Sequence, residues 1–140
     1  MAQIDQPPPP PPPPPAPLEN EPFRIVEEMP CFPGCEDITD SQERKQCSKD
    51  KLKAYLANNL TYPKEAEYVE VEGTGVIRFV VEKDGSIIDI EVVRSLGYGT
   101  EEEMIRLVNQ MNEDGIKWIP GKQNGRPVRV LFNLPIRFGL

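Results

Sequence analysis

Trp118-Ile119-Pro120-Gly121-Lys122-Gln123-Asn124-Gly125-Arg126-Pro127-Val128-Arg129-Val130-Leu131-Phe132-Asn133-Leu134-Pro135-Ile136-Arg137-Phe138 decides how this chain folds. Two turns are written into it, Ile119-Pro120-Gly121-Lys122 and Asn124-Gly125. After them Val128, Val130, Phe132 and Leu134 alternate with Arg129, Leu131 and Asn133, the two-residue period of a strand with one buried face. Pro135 has no backbone N–H to give to a ladder, which places that strand on the edge of a sheet. An edge can accept the backbone of a second chain.

Upstream of this strand the order of elements is helix, hairpin, helix. The first helix is expected from Asp40, a capping residue with Glu43 three positions on, to about Asn59; Leu52, Tyr55, Leu56 and Leu60 mark its apolar face. Tyr62 precedes Pro63 and is disfavoured from helical geometry, so the chain turns there. Strands are predicted over about 75–82 and 86–95, joined by Lys83-Asp84-Gly85. Their buried faces would carry Ile77, Phe79 and Val81, and Ile88, Ile90 and Val92, with Arg78, Asp89 and Glu91 outward. Thr100 with Glu103 predicts a capping box for a second helix whose stripe is Met104, Leu107, Val108 and Met111, ending at Gly115. A right-handed crossover returns the last strand beside the first. The expected fold is α+β: a small three-stranded antiparallel sheet, order 2-1-3, with two helices packed on one face and the C-terminal strand at the edge.

The chain of 140 residues has room for one small domain and a tail. Pro7 to Pro15 are unbroken and are extended by Ala16-Pro17; such a run adopts polyproline II, a stiff spacer rising about 3.1 Å per residue. The division read from composition is a proline-rich polyproline II spacer over 1–22, an extended cysteine-containing arm over 23–39 and a domain over 40–140. A net charge of −7 with scattered basic residues argues against nucleic acid or an anionic membrane as partner. No apolar run approaches the roughly 20 residues that span a bilayer.

Cys31, Cys35 and Cys47 stand just ahead of and within the first helix. Three arrangements fit them: a Cys35–Cys47 disulfide leaving Cys31 over, three reduced thiols packed as small hydrophobes, or a three-cysteine zinc site lacking an evident fourth ligand. The disulfide is favoured, because a small domain often needs a staple; in an exported protein it would add about 3 kcal/mol. Catalytic equipment is sparse. There is no histidine, which removes the commonest general base and the usual triads. The carboxylates fall on predicted solvated faces, and Gly97-x-Gly99 only weakly resembles a phosphate loop. No catalytic residue, cofactor or metal is assigned, and the chain is not expected to be an enzyme.

Taken in order, Tyr62-Pro63, the strand closing at Lys83-Asp84-Gly85, Trp118-Ile119-Pro120-Gly121-Lys122 and the Val130 to Phe138 segment resemble the TonB C-terminal domain family over about residues 50–138. The proline-rich spacer ahead of them fits, and Glu28-Met29-Pro-x-Phe32-Pro33-Gly34 is similar to Bacteroidetes versions of that family. The resemblance implies the periplasmic domain of an energy transducer anchored in the inner membrane, coupled to a proton-channel motor complex. It also implies that the domain grips TonB-dependent outer-membrane transporters by adding their extended TonB box as a strand. This chain carries no anchor helix and its spacer is short, so by the resemblance it is a fragment that cannot transduce energy alone. Carried over by position, Asn59, Leu60 and Thr61 would meet the transporter plug. Val128, Arg129, Val130, Leu131, Phe132, Asn133 and Leu134 would give backbone hydrogen bonds to the box. Family members often show glutamine before Tyr-Pro, where Asn59 and Thr61 stand here. Trp118 and Pro120-Gly121 would support the sheet. Dimerisation through the same edge is a further expectation. A TolA-like periplasmic envelope adaptor using the edge for other partners is the alternative.

Overall fold

The computed structural model describes Pro10 and residues 22–139. The proline spacer therefore lies outside the described residues apart from Pro10 and Pro22. Helix α1 spans Ser41–Asn59 and starts as expected, with the Asp40 carboxylate accepting from the Glu43 N–H at 3.0 Å. That bond satisfies one of the donors that every helix start leaves unpaired. Pro63 does not simply terminate the helical region. It caps a short second helix, α2 (Lys64–Tyr68), whose first turn holds Glu65 and Glu67.

Strands β1 (Gly73–Val81) and β2 (Ile87–Arg94) form the expected hairpin. At its turn the Asp84 carboxylate accepts from both the N–H and the hydroxyl of Ser86, at 2.9 and 2.6 Å. Gly85 sits at φ +87°, and a Cβ there would come within 2.1 Å of the Trp118 carbonyl oxygen, so only glycine fits. The second strand departs from simple alternation. Its pairing with β1 slips twice, and Asp89 takes a positive φ of +52°. Such bulges rotate side chains between faces. Ile87 is consequently the residue driven into the core, while Ile88, expected there, is exposed.

Helix α3 spans Thr100–Glu113, and Met104, Leu107, Val108 and Met111 are all fully buried, as their spacing predicts. Its start corrects the capping box. Gly99, at φ +85°, is the cap, and Thr100 is the first helical residue, its hydroxyl donating to the Gly97 carbonyl at 2.7 Å and accepting from the Leu96 N–H at 3.2 Å. Glu103 is thereby released from capping and serves elsewhere.

The Asn124-Gly125 turn joins two three-residue strands, β3 (Gly121–Gln123) and β4 (Arg126–Val128), in a small ladder of their own. Val128 thus belongs to this hairpin and not to the long final strand, β5 (Val130–Phe138). β5 pairs antiparallel with β1 along its whole length, from Val81↔Val130 to Gly73↔Phe138, giving the order β2-β1-β5. This is the expected 2-1-3 sheet. Ile77, Phe79 and Val81 of β1 and Leu134, Ile136 and Phe138 of β5 share one core with the α3 stripe, and Leu52, Tyr55, Leu56 and Leu60 pack against it. Trp118 is the hub of that core, with ring centroids 5.2 Å from Phe132, 5.4 Å from Phe79 and 5.8 Å from Phe32. On the opposite face Arg78 and Glu91 form an ion pair across β1 and β2 at 2.6 Å.

The segment before α1 is part of the fold. Glu28 exchanges two backbone hydrogen bonds with Lys122 (3.1 and 2.8 Å), and Cys31 two with Ile119 (3.1 and 2.9 Å), so the arm runs antiparallel along the outer side of β3. Phe32 enters the core, and a Cys35–Cys47 disulfide ties the arm to α1. That bond excludes the three-cysteine zinc arrangement. Burial pushes the remaining Cys31 thiol up from its ordinary pKa.

Candidate functional site

The site follows from which way the peptide groups of β5 point. The Phe23 N–H donates to the Arg129 carbonyl at 2.8 Å, and the Leu131 N–H donates to the Phe23 carbonyl at 2.7 Å, a parallel bridge beside Val130. Arg129 and Leu131 therefore turn their backbone groups away from β1. Peptide groups in a strand alternate sides with each residue, so Asn133, Pro135 and Arg137 point the same way, while Val130, Phe132, Leu134, Ile136 and Phe138 face the β1 ladder. Pro135 accordingly sits where its missing donor costs β1 nothing. Side chains follow the same phase: Val130, Leu134, Ile136 and Phe138 are buried, and Asn133, Pro135 and Arg137 exposed.

The outer edge of β5 thus offers the Asn133 and Arg137 N–H groups as donors and the Leu131, Asn133 and Pro135 carbonyls as acceptors. Among the described residues only Phe23 pairs with this edge. Of the edge residues expected from sequence, Leu131 and Asn133 present backbone outward, and Arg129 directs its carbonyl to Phe23. Val130, Phe132 and Leu134 spend their backbone groups on β1, and Val128 spends its pairing on Gly121.

Asn59, Leu60 and Thr61 lie elsewhere. Tyr62, next in the chain, packs edge-to-face on Phe138 at 6.0 Å, the last residue of β5. Val130 stands eight residues back along an extended strand, about 26 Å away. The loop is also occupied internally. The Arg106 guanidinium donates to the Asn59 carbonyl at 2.6 Å, Gln110 Nε2 donates to Asn59 Oδ1 at 2.9 Å, and the Thr61 N–H donates to Glu103 Oε2 at 2.6 Å. Glu103 is held in turn by Arg106, whose own pKa is raised by hydrogen bonding to that carboxylate. A second α1–α3 tie runs from Tyr55 Oη to Asp114 Oδ2 at 2.8 Å. Burial first, then this hydrogen bond, push the Tyr55 phenol up to about 12. The three expected residues are therefore an α1–α3 latch, with Leu60 partly buried and only Thr61 exposed.

Among the described residues no group of histidine, cysteine, aspartate or glutamate is arranged to hold a metal, and no helix is long and apolar enough to cross a membrane. The chemistry the edge can perform is backbone recognition of an extended segment, in which main-chain hydrogen bonds supply affinity.

Residues 58–140 match the family model described as Gram-negative bacterial TonB protein C-terminal. No curated protein matches the chain. Among solved structures it is similar to the NMR solution structure of Helicobacter pylori TonB-CTD residues 194–285, at 21% identity over 65% of this chain and 91% of that one, TM-score 0.49. A longer version of the same domain, residues 179–285, gives 23% identity over 66% and 79% of the two chains, TM-score 0.42. The HasB CTD gives 23% identity over 78% and 77%, TM-score 0.36.

Proposed function

The chain belongs to the TonB C-terminal domain family, and from that membership we propose that it docks the TonB box of outer-membrane transporters by adding it as a strand to the outer edge of β5. The observation that carries this is the sheet-terminal position of β5, with Leu131, Asn133, Pro135 and Arg137 turned away from β1. In the same proposal the domain works in the periplasm, joined through an inner-membrane anchor to a proton-channel motor complex, and the docked segment is the handle through which proton-motive force reaches the transporter. No chemistry on substrate is part of this role; the domain is a grip. Asn59, Leu60 and Thr61 contribute at the far end of the sheet through the exposed Thr61 side chain, the Asn59 carbonyl and the Thr61 N–H being committed to α3.

Titrating isotope-labelled chain with a synthetic TonB-box peptide from a transporter tests this. Amide shifts are expected at Leu131, Asn133 and Arg137; a spectrum unperturbed from Val128 to Leu134 at saturating peptide would refute it.

A further inference from the structure

The edge that the proposed function needs is already partly taken by the chain's own arm, and the place where it is taken matters. Parallel strand addition, the direction Phe23 itself takes beside Val130, proceeds in steps, each using two successive outward residues of the edge: the carbonyl of one accepts, and the N–H of the next donates. On β5 the steps are Arg129–Leu131, Leu131–Asn133, Asn133–Pro135 and Pro135–Arg137. Pro135 has no N–H, so the third step is incomplete and the ladder is broken in its distal half. The longest uninterrupted run is the first two steps, Arg129 to Asn133. Phe23 occupies the first of them with both of its possible hydrogen bonds.

The arm has a firm root and a weak tip. Between Glu28 and Cys47 it is held by four backbone hydrogen bonds to Lys122 and Ile119, by buried Phe32 and by the disulfide. Val26 is buried near Gly121, where a Cβ would lie 2.6 Å from Val130 Cγ2 and 3.2 Å from Val26 Cγ2. Beyond Val26 the side chains turn outward: Ile25 is 86% exposed and Phe23 45% exposed, and among residues 22–25 the backbone contact to β5 is the pair of Phe23 hydrogen bonds. The tip can therefore peel away as far as Val26 with the root in place.

We propose that Phe23 is a built-in competitor for the docking edge: a partner strand added parallel to β5 gains two consecutive complete steps only by displacing Phe23 from Arg129 and Leu131, so the arm lowers the affinity of the edge until a partner supplies a better strand. This rests on the docking function proposed above.

The test uses the full chain, its Phe23→Pro variant, which loses the N–H that binds Arg129, and Phe23→Ala, which keeps both hydrogen bonds and loses the ring. Titration with the same synthetic TonB-box peptide, read by amide shifts, is expected to give about tenfold tighter binding for Phe23→Pro and a smaller gain for Phe23→Ala. In the unaltered chain the Phe23 and Leu131 amides shift together on binding. Equal affinities for all three chains, with Phe23 unmoved while Asn133 and Arg137 shift, overturn the competition and leave the docking function standing. Failure of every chain to bind the peptide overturns both. Retention of the Cys31–Ile119 amide protection in each variant shows that the root has stayed folded.

Discussion

Proline substitutions along β5 separate the two roles of its backbone. Asn133 is exposed and, by the phase set at Leu131, its N–H points away from β1. Asn133→Pro therefore removes no ladder bond and no buried surface, and repeats what Pro135 already does two residues on. Its cost to stability is expected to stay below about 1 kcal/mol, mostly from moving φ toward the proline value. Val130 has the opposite phase. It is fully buried, pairs with Val81 and touches the space above Gly121, so Val130→Pro loses a ladder hydrogen bond and native packing together, about 3 kcal/mol or more. Urea denaturation followed by tryptophan fluorescence reads both, since Trp118 lies in the same core. In binding the order reverses. Asn133→Pro deletes the donor of the Leu131–Asn133 step, worth about 1 kcal/mol net, and should weaken the TonB-box peptide about fivefold in an otherwise intact fold. If Asn133→Pro unfolds the domain as severely as Val130→Pro, the assignment of outward and inward residues is wrong. If it folds normally and binds peptide undiminished, β5 is not the docking edge.

Replacing Cys35 and Cys47 together by serine opens a loop of sequence separation 12 and should cost about 3 kcal/mol, seen as a lower urea midpoint, with reductant giving the same loss in the unaltered chain. Tyr55 provides a pH signature. Its folded pKa, about 12, lies above the unfolded value of 10.0, so its contribution to stability is full below pH 10 and is lost as pH rises toward 12; one of the four tyrosines should ionise late in an ultraviolet titration, and Tyr55→Phe should flatten the alkaline fall. Arg106→Met leaves the buried Glu103 carboxylate with only the Thr61 N–H and unties Asn59 from α3. Because Arg106 is itself partly exposed, the expected loss is about 1–2 kcal/mol by thermal or chemical denaturation, with the Asn59 to Tyr62 amides exchanging faster.

Where one residue type forces one geometry, the sequence was legible. The two-residue alternation of Val130, Phe132 and Leu134, the α3 methionine and leucine stripe and Lys83-Asp84-Gly85 placed the sheet and its order, and Pro135 marked the edge. Local backbone geometry hid the rest. Gly99 takes the capping position because it accepts φ +85°, displacing Thr100 by one residue, and the Asp89 bulge exchanges Ile88 for Ile87 in the core. α1 already ends at Asn59 with Leu60 extended, and Pro63, which reads in sequence as a stop, instead starts a short helix that its fixed φ permits equally. The site was harder still. The edge is visible in the sequence but its phase is not, so the expected contact set runs from Val128 to Leu134 and mixes inward with outward residues. The pairing of Phe23 with β5, across more than a hundred residues of chain, depends on the arm being rooted at Glu28, Cys31 and the disulfide, and leaves no local pattern at Phe23. The partner contact of Asn59 to Thr61 rests on the family resemblance alone, and the tie of that loop to α3 through the Glu103 carboxylate and the Arg106 guanidinium leaves no pattern in the sequence.

Amide hydrogen exchange of the full chain, with and without a bound TonB-box peptide, tests the docking edge most directly. Added protection should centre on Asn133, with Arg137 gaining less beyond the Pro135 gap, while the Phe132 and Leu134 amides, already in the β1 ladder, stay as they were. Protection appearing along Ile87–Arg94 or on α3, with Asn133 exchanging as fast as before, would contradict it.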